Sequence, residues 1–181
     1  MNVNVLQLHK GNKVFLLEDI FPKDLLDRIK QLCLTSAVTD WKNPDWTVLR
    51  KIYSGTAPAY IELRQYLSSE EFQKPLEDRI GKKMQLADLA LWADYPGFGP
   101  LLPHMELHGQ GQGQVFLTDK EYDTNGTAIL NDDKKLLFTM PYRDNYGWYF
   151  DQCTEIMHSR PYDVPEGIVR YSLIYWHTYQ N

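Results

Sequence analysis

From Met84 onward the chain breaks into short apolar runs separated by Gly, Pro, Asp and Asn, and this spacing constrains the fold more than any other feature. A run carrying Leu86, Leu89 and Leu91 suits a buried strand and is cut by Tyr95-Pro-Gly-Phe-Gly-Pro. Seven further strand candidates follow, at 103–108, 114–118, 127–131, 135–140, 148–150, 153–157 and 168–176. Strands this short and this closely spaced predict an all-β sandwich or barrel.

The first half reads differently. Alternation in 4–8 and 13–17, with Gly11-Asn12 between, predicts two early strands joined by a tight turn. Leu25, Leu26, Ile29, Leu32 and Cys33 then fall at helical spacing after Pro22, which predicts a helix over 22–35. Residues 39–55, rich in Trp, Asn, Pro and Asp, read as an irregular loop, and 59–67 and 70–80 as two more helices, the second ending at Gly81. The expectation is one domain over 1–181, mainly β, in which a strand and helix support (1–83) packs on one face of a β core (84–177). With 24 aromatic residues in 181 there is ample material for that core.

A net charge of −5 makes nucleic acid an unlikely default, since a phosphate-binding surface would have to be a local exception to the global field. Cys33 and Cys153 show no metal-ligand or redox spacing and read as reduced thiols. The start alternates as a strand does and lacks the basic-then-apolar order of a signal peptide, and no run approaches the roughly 18 apolar residues needed to cross a bilayer. The expectation is a cytoplasmic protein with neither membrane nor nucleic acid as partner.

The sharpest local feature is Pro103-His104-Met105-Glu106-Leu107-His108. On a strand, His104 and Glu106 would share a face about 6.6–6.8 Å apart, so one cation bonded at about 2 Å to each fits between them. The pair alone is not diagnostic. Five histidines, each with 24 chances in 181 of an acid two positions on, give about 0.7 matches by chance, and taken in isolation a solvated polar loop is the better account of it. His104 and His108 have the spacing of a helical zinc site, but Glu106 sits at the wrong offset and Gly109-Gln-Gly-Gln-Gly makes a poor helix. Those alternating glycines do not form a phosphate cradle either, and they suggest a mobile loop. Further on, His158 precedes Ile168-Val-Arg170-Tyr-Ser172, where Arg170 and Ser172 would share a strand face and offer a guanidinium fork and a hydroxyl to a carboxylate. That face could also meet water, because Val169, Tyr171, Leu173 and Tyr175 are the more apolar set.

In their order, Tyr95-Pro-Gly97, His104-Met-Glu106, Val115-Phe-Leu-Thr118, Gly126-Thr127, Phe138, His158 and Arg170-Tyr-Ser172 resemble the 2-oxoglutarate and Fe(II)-dependent dioxygenases, in particular their small prolyl-4-hydroxylase-like, phage-type branch. The resemblance covers roughly residues 84–177. It departs from the family at Glu106, where aspartate is usual, and a surrogate triad of His104, His108 and His158 would leave Glu106 without a role. The resemblance implies a double-stranded β-helix (jelly-roll, cupin-like) core and Fe(II) held by His104, Glu106 and His158. It further implies 2-oxoglutarate held by Arg170 and Ser172, with Tyr95 donating a hydrogen bond or lining the pocket. Two imidazoles and a carboxylate on one face of an octahedral ion leave three positions for a bidentate 2-oxo acid and dioxygen. The implied activity is hydroxylation of an unactivated C–H bond with release of succinate and CO2, on a peptide, protein or small molecule, with peptidyl proline suggested by the branch alone. Trp92, Trp148, Tyr149 and the 110–114 loop are candidates for a recognition surface. Two other readings stay open: a non-catalytic jelly-roll binding or structural protein, and a cupin-like metalloenzyme that does not use a 2-oxo acid.

Overall fold

The predicted helices form where their apolar stripes need a surface to cover. The computed structural model describes residues 1–8, 11–106, 110–122 and 125–180. Helix α1 (Lys23–Thr35) follows Pro22 and buries Leu25, Leu26, Ile29, Leu32 and Cys33 on one stripe. Helix α2 (Pro58–Leu67) carries its proline in the first turn, where no backbone N–H is needed. Helix α3 (Glu70–Ile80) starts at Ser69, whose side chain accepts from the Phe72 N–H, and stops at Gly81 with φ of 78°.

In chain order the strands are β1 (Asn2–Gln7), β2 (Lys13–Glu18), β3 (Trp41–Lys42), β4 (Arg50–Tyr53), β5 (Lys83–Asp94), β6 (Leu101–His104), β7 (Gly111–Leu117), β8 (Ala128–Leu130), β9 (Leu136–Thr139), β10 (Tyr146–Phe150), β11 (His158–Arg160) and β12 (Arg170–Gln180). They make two antiparallel sheets, an eight-stranded one in the order β1-β2-β10-β7-β12-β5-β4-β3 and a four-stranded one in the order β6-β11-β8-β9. Four inner strands of the large sheet face the four of the small one, as in a double-stranded β-helix. The fold is mainly β with supporting helices. No helix among the described residues is long and apolar enough to cross a membrane.

Two cores result, one on each side of the large sheet. On its outer face the helices set Leu26, Ile29, Leu63 and Phe72 against Leu17, Val115, Leu173 and Tyr175. Each such side chain removed from water contributes on the order of 1.5–3 kcal/mol, which pins the helices to that face. On its inner face Phe116, Trp148 and Phe150 meet Ile129 and Met140 of the small sheet and its connections.

Several expectations are corrected. Residues 39–55 are not all loop, because β3 and β4 pair there and extend the large sheet beside β5. The strand expected over 153–157 is a 3-10 turn at Cys153–Glu155, and pairing begins only at His158. The expected mobile glycine loop is instead part of β7, and every residue of that strand is buried. The reason is steric. Gly113 lies opposite Tyr149 on one side and Tyr175 on the other. A Cβ there would sit 2.1 Å from Tyr175 Cζ, and one at Gly111 would sit 1.8 Å from the Tyr149 Oη. Gly-Gln-Gly-Gln is thus a period-two strand whose bare face lies under tyrosine rings and whose glutamines face the gap between the sheets.

Candidate metal centre and anion pocket

The candidate site lies where β6 ends and β11 begins. His104 closes β6, His158 opens β11, and the two are direct register partners. Their rings lie 4.4 Å apart, centroid to centroid. Glu106 is not on the strand, as the spacing predicts, but two residues beyond its end. Its carboxylate nonetheless comes back to the histidines, so that the ligand atoms of His104, Glu106 and His158 all lie within 4.8 Å of one another.

The two imidazoles are oriented by backbone. His104 Nδ1 is 2.7 Å from the Leu102 carbonyl oxygen and His158 Nδ1 is 3.1 Å from that of Ile156. A carbonyl only accepts, so each Nδ1 carries the proton and donates, which leaves a lone pair on each Nε2. That tautomer is the one a metal takes, and the carbonyl partner fixes the ring plane. Glu106 lies with Oε1 3.5 Å from His158 Nε2 and accepts a 2.9 Å hydrogen bond from Gln112 Nε2. With no metal between them and His158 protonated, the His158 Nε2–H holds the Glu106 carboxyl below the usual range; burial opposes it and the Gln112 amide adds to it. Trp148 packs against His158 at 5.9 Å, and its Nε1 donates to Gln114 Oε1 and Thr127 Oγ1.

Beside this trio lies a second constellation that the sequence does not announce. Asp94, at the end of β5, is fully buried and register-paired with Arg50 of β4 and Arg170 of β12. Arg160 reaches the same carboxylate from the small sheet. Arg50 binds Asp94 twice, Nε to Oδ1 at 2.5 Å and Nη2 to Oδ2 at 2.9 Å. Arg160 Nη1 at 2.9 Å and Arg170 Nη1 at 3.1 Å share Oδ2. Burial would raise the Asp94 pKa, but the Arg50 hydrogen bonds and the three positive charges overcome it and lower it. Burial, reinforced by the charge of Arg170, lowers Arg160 to about 10, so it remains a cation at neutral pH. Three guanidiniums against one carboxylate leave this dry corner two charges positive.

A single cavity of about 240 Å³ joins the two constellations, with His104, Glu106, His158, Arg50, Arg160 and Arg170 all in its wall. Ser172 shares the inner face of β12 with Arg170 and Ile174; its Oγ is buried without a partner, and it does not line this cavity. Tyr95 lies past the end of β5 with its ring 5.3 Å from Lys51 Nζ and is not in the wall either. His108 lies outside the described residues. Of the aromatics expected at a recognition surface, Trp92 lines the cavity, whereas Trp148 and Tyr149 are core. Arg50, Asp94 and Arg160 are the residues that sequence reasoning missed, and Gln112, expected only within the 110–114 recognition segment, instead holds Glu106. The legible signal was Asp94 itself, a carboxylate at the end of an apolar strand, which must find partners if buried.

No family model matches the sequence, and no curated protein matches it. Solved structures do match. The chain is similar to an oxidoreductase of the 2OG-Fe(II) oxygenase family from Burkholderia pseudomallei, with TM-score 0.70 and 11% identity over 91% of this chain and 84% of that one. It is similar to a Pseudomonas putida prolyl-4-hydroxylase, with TM-score 0.65 and 15% identity over 93% of each chain. A third is HygX from Streptomyces hygroscopicus, solved with nickel and 2-oxoglutarate bound, with TM-score 0.65 and 10% identity over 91% of this chain and 82% of that one. At such identities the likeness carries the fold, a double-stranded β-helix with its helices on one face.

Proposed function

We propose that this protein is an Fe(II)- and 2-oxoglutarate-dependent oxygenase whose metal ligands are His104, Glu106 and His158. The observation that carries the reading is the convergence of those three donors within 4.8 Å, with both imidazoles held by backbone carbonyls in the metal-binding tautomer. Two neutral nitrogens and one carboxylate suit ferrous iron and leave open positions for a bidentate acid and dioxygen. When bound, iron and 2-oxoglutarate supply oxidative decarboxylation to succinate and CO2, coupled to oxidation of a substrate C–H bond.

The chain's own residues do the rest. Gln112 steers the longer glutamate side chain, replacing the aspartate that the resemblance calls for, and keeps Oε1 against His158. Arg170, held over the rings of Phe116 and Tyr142 and in the cavity wall, offers a fixed cation to the distal carboxylate of the cosubstrate, whereas the buried Ser172 hydroxyl on the same face lies behind that wall and would reach the carboxylate only if the wall shifts. The phage-type, prolyl-4-hydroxylase-like assignment and peptidyl proline as substrate rest on the resemblance and on the Pseudomonas neighbour's own activity. Tyr95 could act only from outside the cavity wall, through neighbouring chain.

The test is anaerobic addition of Fe(II) and 2-oxoglutarate. The wild type should develop a weak visible absorption band and, once aerated, Fe(II)-dependent succinate; His158→Ala should show neither. A wild type without the band, or a variant with an equal one, rejects the assignment.

A further inference from the structure

The oxygenase reading uses one of the three arginines. We propose that Arg50 and Arg160 form the docking site for an anionic group, a carboxylate or phosphate, on the primary substrate, and that the substrate carries this group on an apolar body. The inference rests on the oxygenase reading and adds the substrate class to it.

The argument begins with charge. Asp94 cancels one of three buried guanidiniums, and a cosubstrate carboxylate at Arg170 cancels a second. One positive charge stays in a desolvated corner, where an uncompensated ion is costly. Hydrogen-bond capacity points the same way. Arg50 spends Nε and Nη2 on Asp94, which leaves Nη1 without a protein partner among the described residues. Arg160 spends Nη1 on Asp94 and Nη2 on the Phe98 carbonyl, and its Nε is buried with no partner. Because both guanidiniums bond one oxygen of Asp94, their bonding nitrogens lie within about 6 Å of each other, close enough to share an anion.

Contacts separate these two from Arg170: both lie over Phe98, Arg160 at 4.7 Å, whereas Arg170 lies over Phe116 and Tyr142. The Arg50 guanidinium is stacked 3.8 Å from the Trp92 ring and 4.4 Å from Phe98, and it reaches toward Trp46, which lines the cavity while 63% exposed. Arg50 therefore stands between the mouth and Asp94. The same cavity wall carries the apolar side chains of Trp46, Trp92, Leu101 and Ile174. Cations set among aromatic and aliphatic wall residues select an acid with an apolar body.

The test uses phenylacetate and its neutral amide, phenylacetamide, titrated into the anaerobic Fe(II) and 2-oxoglutarate complex by calorimetry and by perturbation of its visible band. The acid should bind at least tenfold more tightly than the amide. Arg50→Gln and Arg160→Gln should abolish that preference while weakening 2-oxoglutarate less than threefold, whereas Arg170→Gln should lose 2-oxoglutarate itself. If a glutamine variant does not fold, Arg50→Lys and Arg160→Lys keep the charge beside Asp94 but not the fork, and should cut the preference at least threefold. Equal binding of acid and amide, including binding of neither, overturns the inference, as does loss of 2-oxoglutarate in the Arg50 or Arg160 variants equal to that in Arg170→Gln. Failure of 2-oxoglutarate to bind the iron-loaded wild type overturns the oxygenase reading instead.

Discussion

Asp94 decides more at the residue scale than His104, Glu106 or His158 does, because three arginines would be left facing one another without it. Asp94→Asn keeps the shape and removes the charge, and breaking a buried pair of this kind costs about 3–5 kcal/mol. Urea unfolding at pH 7 should show that loss, and equal stability would refute the role given to this carboxylate. The pH dependence has a definite sign. The folded-state pKa is depressed, so the contribution is full above the unfolded value of about 3.9 and is lost as pH falls through the folded one. The gap between wild type and variant should accordingly narrow only in acid. His104, Glu106 and His158 were legible as residue types in a familiar order, whereas Arg50 and Arg160 were not, since nothing in their local sequence tells that strands 44 and 66 residues away from Asp94 aim at one oxygen.

At the scale of elements, β7 shows how a sequence cue can mislead. Glycines at 111 and 113 suggest a loop because glycine usually marks backbone freedom, yet here they are needed for the absence of a side chain. Gly113→Ala would force the Tyr175 ring or the strand to shift, at a cost of about 1–3 kcal/mol. Thermal or urea unfolding should register that loss, and a neutral effect would mean that the tyrosine ring is not packed as described. The helices were legible to within a residue or two because an apolar stripe at period 3.6 is a local property. The partners of short strands are not, because β4 (Arg-Lys-Ile-Tyr) and β11 (His-Ser-Arg) are four and three residues long and carry too little apolar pattern to select a neighbour. Glu106 illustrates the same limit: period two placed it beside His104 on a strand, whereas it lies beyond the strand's end and is held there by the Gln112 amide.

For the molecule as a whole, the cavity contradicts the global charge. The chain carries −5, so its long-range field disfavours anions, and capture of one depends on the desolvated arginines. Buried charges are little screened by salt, so 2-oxoglutarate affinity should change less than threefold between 0.05 and 0.5 M NaCl; a steep decline would indicate binding at the surface. Metal and cosubstrate should also be coupled, because one cavity wall contains both the His-Glu-His trio and Arg170. A ligand at a hundred times its dissociation constant adds about 2.7 kcal/mol to the native state. For a chain of this length each kcal/mol raises the melting temperature by about 2–4 °C, so saturating 2-oxoglutarate should add roughly 5–11 °C in the presence of Mn(II), a redox-stable stand-in for Fe(II). Without metal the same acid should add markedly less, since only its distal carboxylate is held, and in His158→Ala the metal-dependent part should vanish. An equal shift with and without Mn(II) would mean that the two constellations act independently and that the acid does not bridge them.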